Sequence, residues 1–311
     1  MNNPLVTILS PCYNVGQFLP KYFETVLGQT YSNLQVVLID DGSKDDTWTV
    51  MQEYAATDSR VEIYHQENQG VAATRNNLLD KVKGDYVLFV DSDDWIELDM
   101  VEYLVGLINT KDADVAMCGS VINDAPAEPE KSIKIYDRDT TIKEFLFHKE
   151  LRGSLWNKLV KTSLLHNVVF HCGISYGEDA LFCWHYFQNI NNIVISDRQL
   201  YHYRMVETSL CHSSFGPKKL SAHYAWTQIC GETEKWWPQF LEIAQARHCI
   251  EDILLLRDAA HCGYKEMSDV ELLLNTIKKY SSTLKKVNIT TFKMRLYAFF
   301  ACRSYWLAKK I

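Results

Sequence analysis

Nothing in this 311-residue sequence approaches the roughly 18 consecutive apolar residues that a membrane-spanning helix requires, so no helical span is expected. The opening stretch, MNNPLVTILSPCYN, has no basic region and too short an apolar run for a signal peptide. The nine cysteines are odd in number and scattered, with no CxxC pair, which excludes a tight thiolate metal knuckle. They read as reduced thiols in a cytoplasmic protein. No GxxxxGKS/T loop occurs, so a phosphorylated ligand is not cradled in the Walker manner. Basic charge is also short: 32 Lys/Arg against 39 Asp/Glu gives a net −7, which argues against a general nucleic-acid binder.

What is present is ordinary globular composition, 47% hydrophobic and 23% charged, with length enough for a large core. Charge is unevenly placed. From Lys278 onward there are nine Lys/Arg and no acidic residue, so all 39 Asp/Glu lie upstream. The first 120 or so residues alternate two periodicities. Short β-rich runs at 5–9, 34–40, 61–65, 86–90 and 114–122 are separated by segments of helical spacing at 18–27, 47–56, 71–82 and 100–108. This alternation predicts an α/β fold with a mostly parallel sheet flanked by helices. The polar stretch 123–132, with its prolines, reads as a loop. Beyond it, 141–150, 154–165 and the carboxylate-led EDALFCWHYFQ read as helices, and NIVISDRQLYHYR returns to strand character. From about Gly216 the pattern is helical throughout. The expected organisation is a domain over 1–215, with halves 1–122 and 133–215, followed by a helical region over 216–311.

Chemistry gathers where strands end. In an open parallel sheet ligands bind beyond the carboxyl ends of the strands, and four exits are polar: SPCYN, DDGS, HQENQG and DSDDW. Asp40, Asp41, Asp91, Asp93 and Asp94 would share one edge. A single Asp after a strand is normally a turn former or a cap, and Ser43 and Asp45 suit the start of the second helix. Five carboxylates on one edge exceed what capping needs, and they repel one another unless a cation or donor groups intervene. Hard divalents take oxygen ligands, typically one or two carboxylates plus substrate phosphates. The stretch DSDDW lacks the spacing and glycine of an EF-hand. A metal–diphosphate site with Mn²⁺ or Mg²⁺ fits the surplus charge.

The run from ILSPCYNVGQFLPKYF through LQVVLIDDGSKDDT to NQGVAATRNNLLDKVKGDYVLFVDSDDW resembles the nucleotide-sugar-binding half of a family-two inverting glycosyltransferase of GT-A fold, of the bacterial polysaccharide and O-antigen type. Four separated motifs, P-x-Y-N, D-D-G-S, R-N and D-S-D-D, fall in the family's order, and the likeness runs on weakly through LWNKLVK, YGEDALF and YHYR. The resemblance implies roles. Pro11, Tyr13, Asn14 and Asp41 would surround the nucleotide base, with Asp40 beside them in the donor site; Arg75 would hold Asp or phosphate oxygens; Asp91 would contact ribose; Asp93 and Asp94 would hold the metal. Thr74 and Leu78 stand where the family has Ala and Gly, which implies altered packing of that helix. Asp179, in the E-D pair with Glu178, would be the base that deprotonates the acceptor hydroxyl. Carboxylates at a helix start also complement the dipole without any catalytic role.

Weaker assignments follow the same resemblance. Trp156, Asn157 and Lys158 match a segment near the acceptor, although a Trp there also suits a core. Arg204 and Ser209 resemble a loop that closes over the diphosphate. The implied activity is inverting transfer from a nucleoside-diphosphate sugar, a UDP-sugar, to a glycan or lipid-linked glycan. Two alternatives stand beside it: an inactive homologue serving as a glycan-binding scaffold, and a sugar nucleotidyltransferase, whose glycine-rich loop is missing after LVTILSPCYN. Residues 290–311 interleave Lys/Arg with Phe, Tyr and Trp, which suits either a docked helix or peripheral contact with the inner face of the cytoplasmic membrane.

Overall fold

A computed structural model describes residues 3–126, 128, 130–205 and 215–287. Ser209 and the basic segment 290–311 lie outside these residues. The contacts divide the chain into two units, one of Met1–Thr141, Ser154–Cys172 and His185–Val206, the other of Ile142–Gly153, Gly173–Trp184 and Glu207–Ile311.

The first unit is built on β1 (Val6–Cys12), α1 (Leu19–Leu27), β2 (Leu34–Asp40), α2 (Thr47–Thr57), β3 (Val61–His65), α3 (Val71–Leu79) and β4 (Tyr86–Phe89). The run continues through β5 (Trp95–Ile96), α4 (Met100–Lys111), β6 (Val115–Ile122) and β7 (Ile133–Asp137), and later β8 (Lys158–Lys161) and β9 (Asn192–Tyr203). Nine strands form one sheet in the order β3-β2-β1-β4-β8-β6-β9-β5, with β7 paired to β9. Pairing among β3, β2, β1 and β4 is parallel throughout. β8 is antiparallel to both β4 and β6, so the sheet turns mixed beyond β4.

Local sequence explains the parallel half. β2 is buried at all seven positions, the pattern of a strand covered on both faces. α1 starts with Pro20 in its first turn and turns Leu19, Tyr22, Phe23 and Val26 to the core, the spacing of one helical face. The hydroxyl of Tyr22 meets Ser10 Oγ at 2.6 Å, and Ser10 donates to the Val90 carbonyl at 2.6 Å. This relay of buried groups ties α1, β1 and the end of β4 together. Gly84 permits the close approach that begins β4, because a Cβ there would lie 2.6 Å from the Leu5 carbonyl oxygen.

One expectation is corrected. Residues 154–165 do not form a helix: Lys158–Lys161 is the strand β8, followed by a single 3-10 turn at Thr162–Leu165. Leu159 and Val160 are buried between two neighbouring strands, and ladder bonds on both edges outweigh the helical spacing of so short a run. The short strands β5 and β7 were not expected either.

The second unit includes most of α5 (Arg138–Phe147) and most of α6 (Glu178–Phe187). The rest is helical: α7 (Pro217–Trp236), α8 (Leu241–Cys262), α9 (Met267–Tyr280) and α10 (Thr283–Lys286). Its core is made by Leu256, Ala259, Ala260, Val270, Leu273 and Ile277 with Phe215 and Leu284. α8 ends at Gly263 in the left-handed conformation (φ 71°), which closes the turn into α9. Among the described residues no helix is long and apolar enough to cross a membrane.

Candidate active site

The carboxyl ends of β1, β2 and β4 are knit into one edge. The Asp41 N–H donates to the Cys12 carbonyl at 2.8 Å, and Ser92 Oγ donates to the Pro11 carbonyl at 2.7 Å. Asn14, at φ 54°, locks the first loop onto the second: its N–H reaches Ser43 Oγ at 2.9 Å and its Oδ1 accepts the Lys44 N–H at 2.8 Å. Tyr13 beside it is 50% exposed and presents an open ring.

The two acids of DDGS have different tasks. Asp40 is fully buried, with Oδ1 accepting the Ser43 N–H at 3.1 Å and Oδ2 2.7 Å from His65 Nδ1. Asp41 accepts from Gln66 Nε2 and the Gln69 N–H, both at 2.8 Å on Oδ1, and from the Gly70 N–H at 2.9 Å on Oδ2. It thereby fixes the loop between β3 and α3. Gly42, in the loop between β2 and α2, has φ 73°, and a Cβ there would sit 2.9 Å from the Asn68 nitrogen, so glycine is required. On α3, Thr74 bonds the Gly70 carbonyl at 3.0 Å and Leu78 is fully buried, so both departures from the family motif sit in helix packing.

The three acids after β4 also separate. Asp91 lies 3.6 Å from the Arg75 guanidinium, which is nearly buried and faces the Phe170 ring at 5.6 Å. Asp94 is 1% exposed: its Oδ2 accepts the Tyr201 hydroxyl at 2.6 Å and its Oδ1 the Arg204 N–H at 2.7 Å. The same Tyr201 oxygen accepts the Asp91 N–H at 3.1 Å. Among the described residues the Asp93 carboxylate draws a hydrogen bond from its own backbone N–H and none from a hydroxyl or from another residue's N–H, while the Arg204 side chain donates to the Asp93 carbonyl at 2.6 Å. Burial, then the charge of Asp91, pushes Asp93 up to about 6. Burial followed by Asp91 and Asp93 raises Asp94 as well. The site holds more negative charge than its two guanidinium groups compensate, and an oxygen-seeking cation suits that donor set.

The Arg204 guanidinium lies over the Phe18 and Trp95 rings, at 5.0 and 4.6 Å from their centroids. Trp156 stacks on Tyr201 at 4.4 Å, behind the carboxylates. Asn157 and Lys158 are buried in the sheet, Asn157 bonding the Cys118 carbonyl at 2.8 Å and Lys158 the Ser154 carbonyl at 2.6 Å. Glu178 and Asp179 open α6 in the second unit, where Asp179 Oδ1 accepts the Ala180 N–H at 2.7 Å. The sequence reading passed over Tyr201, Phe18, Trp95 and Phe170. For Tyr201 the available signal was the alternation of YHY in β9, which turns Tyr201 inward.

A family model described as Glycosyl transferase family 2 matches residues 7–173. Glycosyltransferase GlyA of Streptococcus pneumoniae serotype 4 is 32% identical over 66% of this chain and 31% of its own length. The putative glycosyltransferase EpsH of Bacillus subtilis is 32% identical over 68% of this chain and 63% of its own. The chain thus spans less than two thirds of either relative. Among solved structures, Staphylococcus aureus TarS residues 1–349 in complex with UDP-GlcNAc superposes with a TM-score of 0.75 at 19% identity, covering 98% of this chain and 89% of that one. The mannosyltransferase PcManGT from Pyrobaculum calidifontis, in complex with GDP-Man and Mn²⁺, gives 0.59 at 15% identity over 100% and 87%. These structures share the sheet and its flanking helices, and with a family match over more than half its length the chain belongs to glycosyl transferase family 2.

Proposed function

We propose that this protein transfers a sugar, with inversion, from a UDP-sugar to a hydroxyl of a glycan or lipid-linked glycan during assembly of cell-surface polysaccharide. The observation that carries the reading is the edge of the sheet where Asp91, Asp93 and Asp94 crowd beside Arg75 and Arg204, with Asp93 pushed up to about 6. Such an edge is suited to a divalent ion and a diphosphate. TarS was solved with UDP-GlcNAc and with UDP, which favours uridine as the base.

In this reading Tyr13 stacks on the base. Asp41 has one lone pair left on Oδ2 after its three internal bonds, enough to accept a single ring N–H. Asp93, with open oxygens, is the main metal ligand, and Asp94 is the buried anchor that sets the loop. When bound, Mn²⁺ or Mg²⁺ would neutralise the charge that develops on the leaving diphosphate. Arg75 holds Asp91 in place for the ribose, and Arg204 offers its guanidinium to the phosphates. Asp179 is the base for the acceptor hydroxyl. The segment 290–311 is the proposed contact with the inner membrane face.

Calorimetry of UDP binding with Mn²⁺ and again with chelator tests the donor site, and equal affinity in both would overturn the metal assignment. A panel of sugar nucleotides, scored by slow UDP release, identifies the donor. Replacing Asp179→Asn should abolish transfer with donor binding near wild type; transfer at the normal rate would place the base elsewhere.

A further inference from the structure

A second polar cluster lies within the helical unit, built by His223 on α7 and by His248 and Asp252 on α8. The three are 4%, 3% and 0% exposed, which makes them as buried as the apolar core beside them. His248 and Asp252 are four residues apart and share one face of α8. His223 Nδ1 lies 2.8 Å from Asp252 Oδ2 and 3.4 Å from His248 Nε2, and His248 Nε2 is 3.7 Å from the same Asp252 oxygen.

Protons alone satisfy this arrangement poorly. If His223 Nδ1 carries a hydrogen and gives it to Asp252, the same nitrogen has no lone pair for His248. Among the described residues His248 Nε2 then has only a carboxylate oxygen at 3.7 Å, beyond hydrogen-bond range, and His248 Nδ1 is buried without a hydrogen-bond partner. The opposite tautomer of His223 is disfavoured by the carboxylate, whose oxygens lie 2.8 and 3.1 Å from Nδ1, unless a cation takes the place of that proton. Thr227 Oγ1 sits 3.5 Å from His223 Nε2 and gives its own proton to the His223 carbonyl at 2.8 Å, so its oxygen is left to accept from Nε2–H. That tautomer aims a bare Nδ1 lone pair at a carboxylate oxygen 2.8 Å away, which is repulsive without a cation between them.

The spacing suits one. A triangle with sides of 2.8, 3.4 and 3.7 Å has its centre about 1.9 Å from each corner, and zinc–imidazole and zinc–carboxylate bonds run at about 2.0–2.2 Å. An ion would therefore sit just off the plane of the three atoms with a fourth position open. The supporting contacts are of the kind that orient metal ligands: Thr227 behind His223, and the Thr276 hydroxyl on the Asp252 carboxylate.

We propose that His223, His248 and Asp252 form a zinc site that clips α7 to α8. Two imidazoles and one carboxylate select a borderline transition ion over the hard Mg²⁺ or Mn²⁺ suited to the all-oxygen edge of the sheet.

The test uses the full chain, stripped with chelator and then held in excess Mg²⁺ to occupy the exposed carboxylates. Co²⁺ is titrated as a visible probe and then displaced with Zn²⁺. The expected result is one equivalent of Co²⁺ per chain with the intense visible bands of a four-coordinate ion, bleached by Zn²⁺, and a melting temperature raised by Zn²⁺. His248→Leu should lose both responses. Asp252→Asn, which keeps the shape and drops the charge, should weaken Zn²⁺ binding at least about tenfold. A wild-type Co²⁺ spectrum of six-coordinate intensity only, or Zn²⁺ stoichiometry unchanged in both variants, overturns the proposal. The wild-type spectrum decides the matter even if His248→Leu does not fold.

Discussion

Tyr201→Phe removes one oxygen atom and tests how the carboxylate edge is held. That oxygen donates to Asp94 Oδ2 at 2.6 Å and accepts the Asp91 N–H at 3.1 Å, in a residue with no solvent exposure. The ring itself stays, and with it the stack on Trp156 at 4.4 Å, so packing is conserved and the loss is one of hydrogen bonds. A hydrogen bond to a buried charge contributes about 1.5–3 kcal/mol, and orphaning the part-buried Asp91 N–H costs about 1–2 kcal/mol more, so a loss of roughly 2.5–5 kcal/mol is expected. The loss should grow with pH. The hydroxyl favours the ionised form of Asp94, whose carboxyl is already raised by burial and by Asp91, so the bond is worth most where Asp94 is charged. Urea denaturation of both proteins at about pH 5 and about pH 9 measures this difference. Because Asp94 anchors the loop that carries Asp93, UDP–Mn²⁺ binding by calorimetry should weaken about 10–100-fold. Stability within about 0.5 kcal/mol of wild type, together with unchanged UDP–Mn²⁺ affinity, would refute the reasoning.

Asp41→Asn replaces a carboxylate that accepts three N–H groups with an amide that must turn two hydrogens toward donors, and should cost about 2–4 kcal/mol. Hydrogen exchange at the Gln69 and Gly70 amides should quicken, and unchanged protection there would count against that role. Arg204→Lys keeps the charge but loses the planar group over the Phe18 and Trp95 rings and the bond to the Asp93 carbonyl. An increase in donor KM worth about 1–2 kcal/mol is expected, and an unchanged KM would show that stacking is idle. Asp114 lies far from this edge, and burial alone would raise its carboxyl; the Lys161 ammonium at 2.8 Å and the Asn191 N–H at 2.6 Å overrule it and hold it below its ordinary 3.8. Its stabilisation is in place above that value and is lost as pH falls through the depressed one, so Asp114→Asn should destabilise at neutral pH and match wild type in strong acid.

The alternation of strands and helices over residues 5–108 was legible because each element carries its own period within a few residues. The strands missed or mistaken are those whose pairing comes from elsewhere. β5 is two residues long and exists because β9 runs beside it; β8 reads as helix in isolation and is a strand because β4 and β6 flank it. The candidate site divides along the same line. Asp91, Asp93 and Asp94 announce themselves as a local excess of charge, yet the sequence offers no ground for ranking them. The ranking comes from Tyr201, about a hundred positions downstream, and from the Arg204 N–H beside it. Together they take one oxygen each of Asp94 and leave the Asp93 carboxylate open. Three acids in four residues therefore have three settings: one is paired with Arg75, one is tied into the sheet, and one is the carboxylate we propose for the cation. The crowding has a physical use. An edge that kept Asp93 fully paired inside the protein would hold its carboxyl low and give a cation little to relieve, whereas one that pushes Asp93 up to about 6 gains most when a cation and its diphosphate arrive.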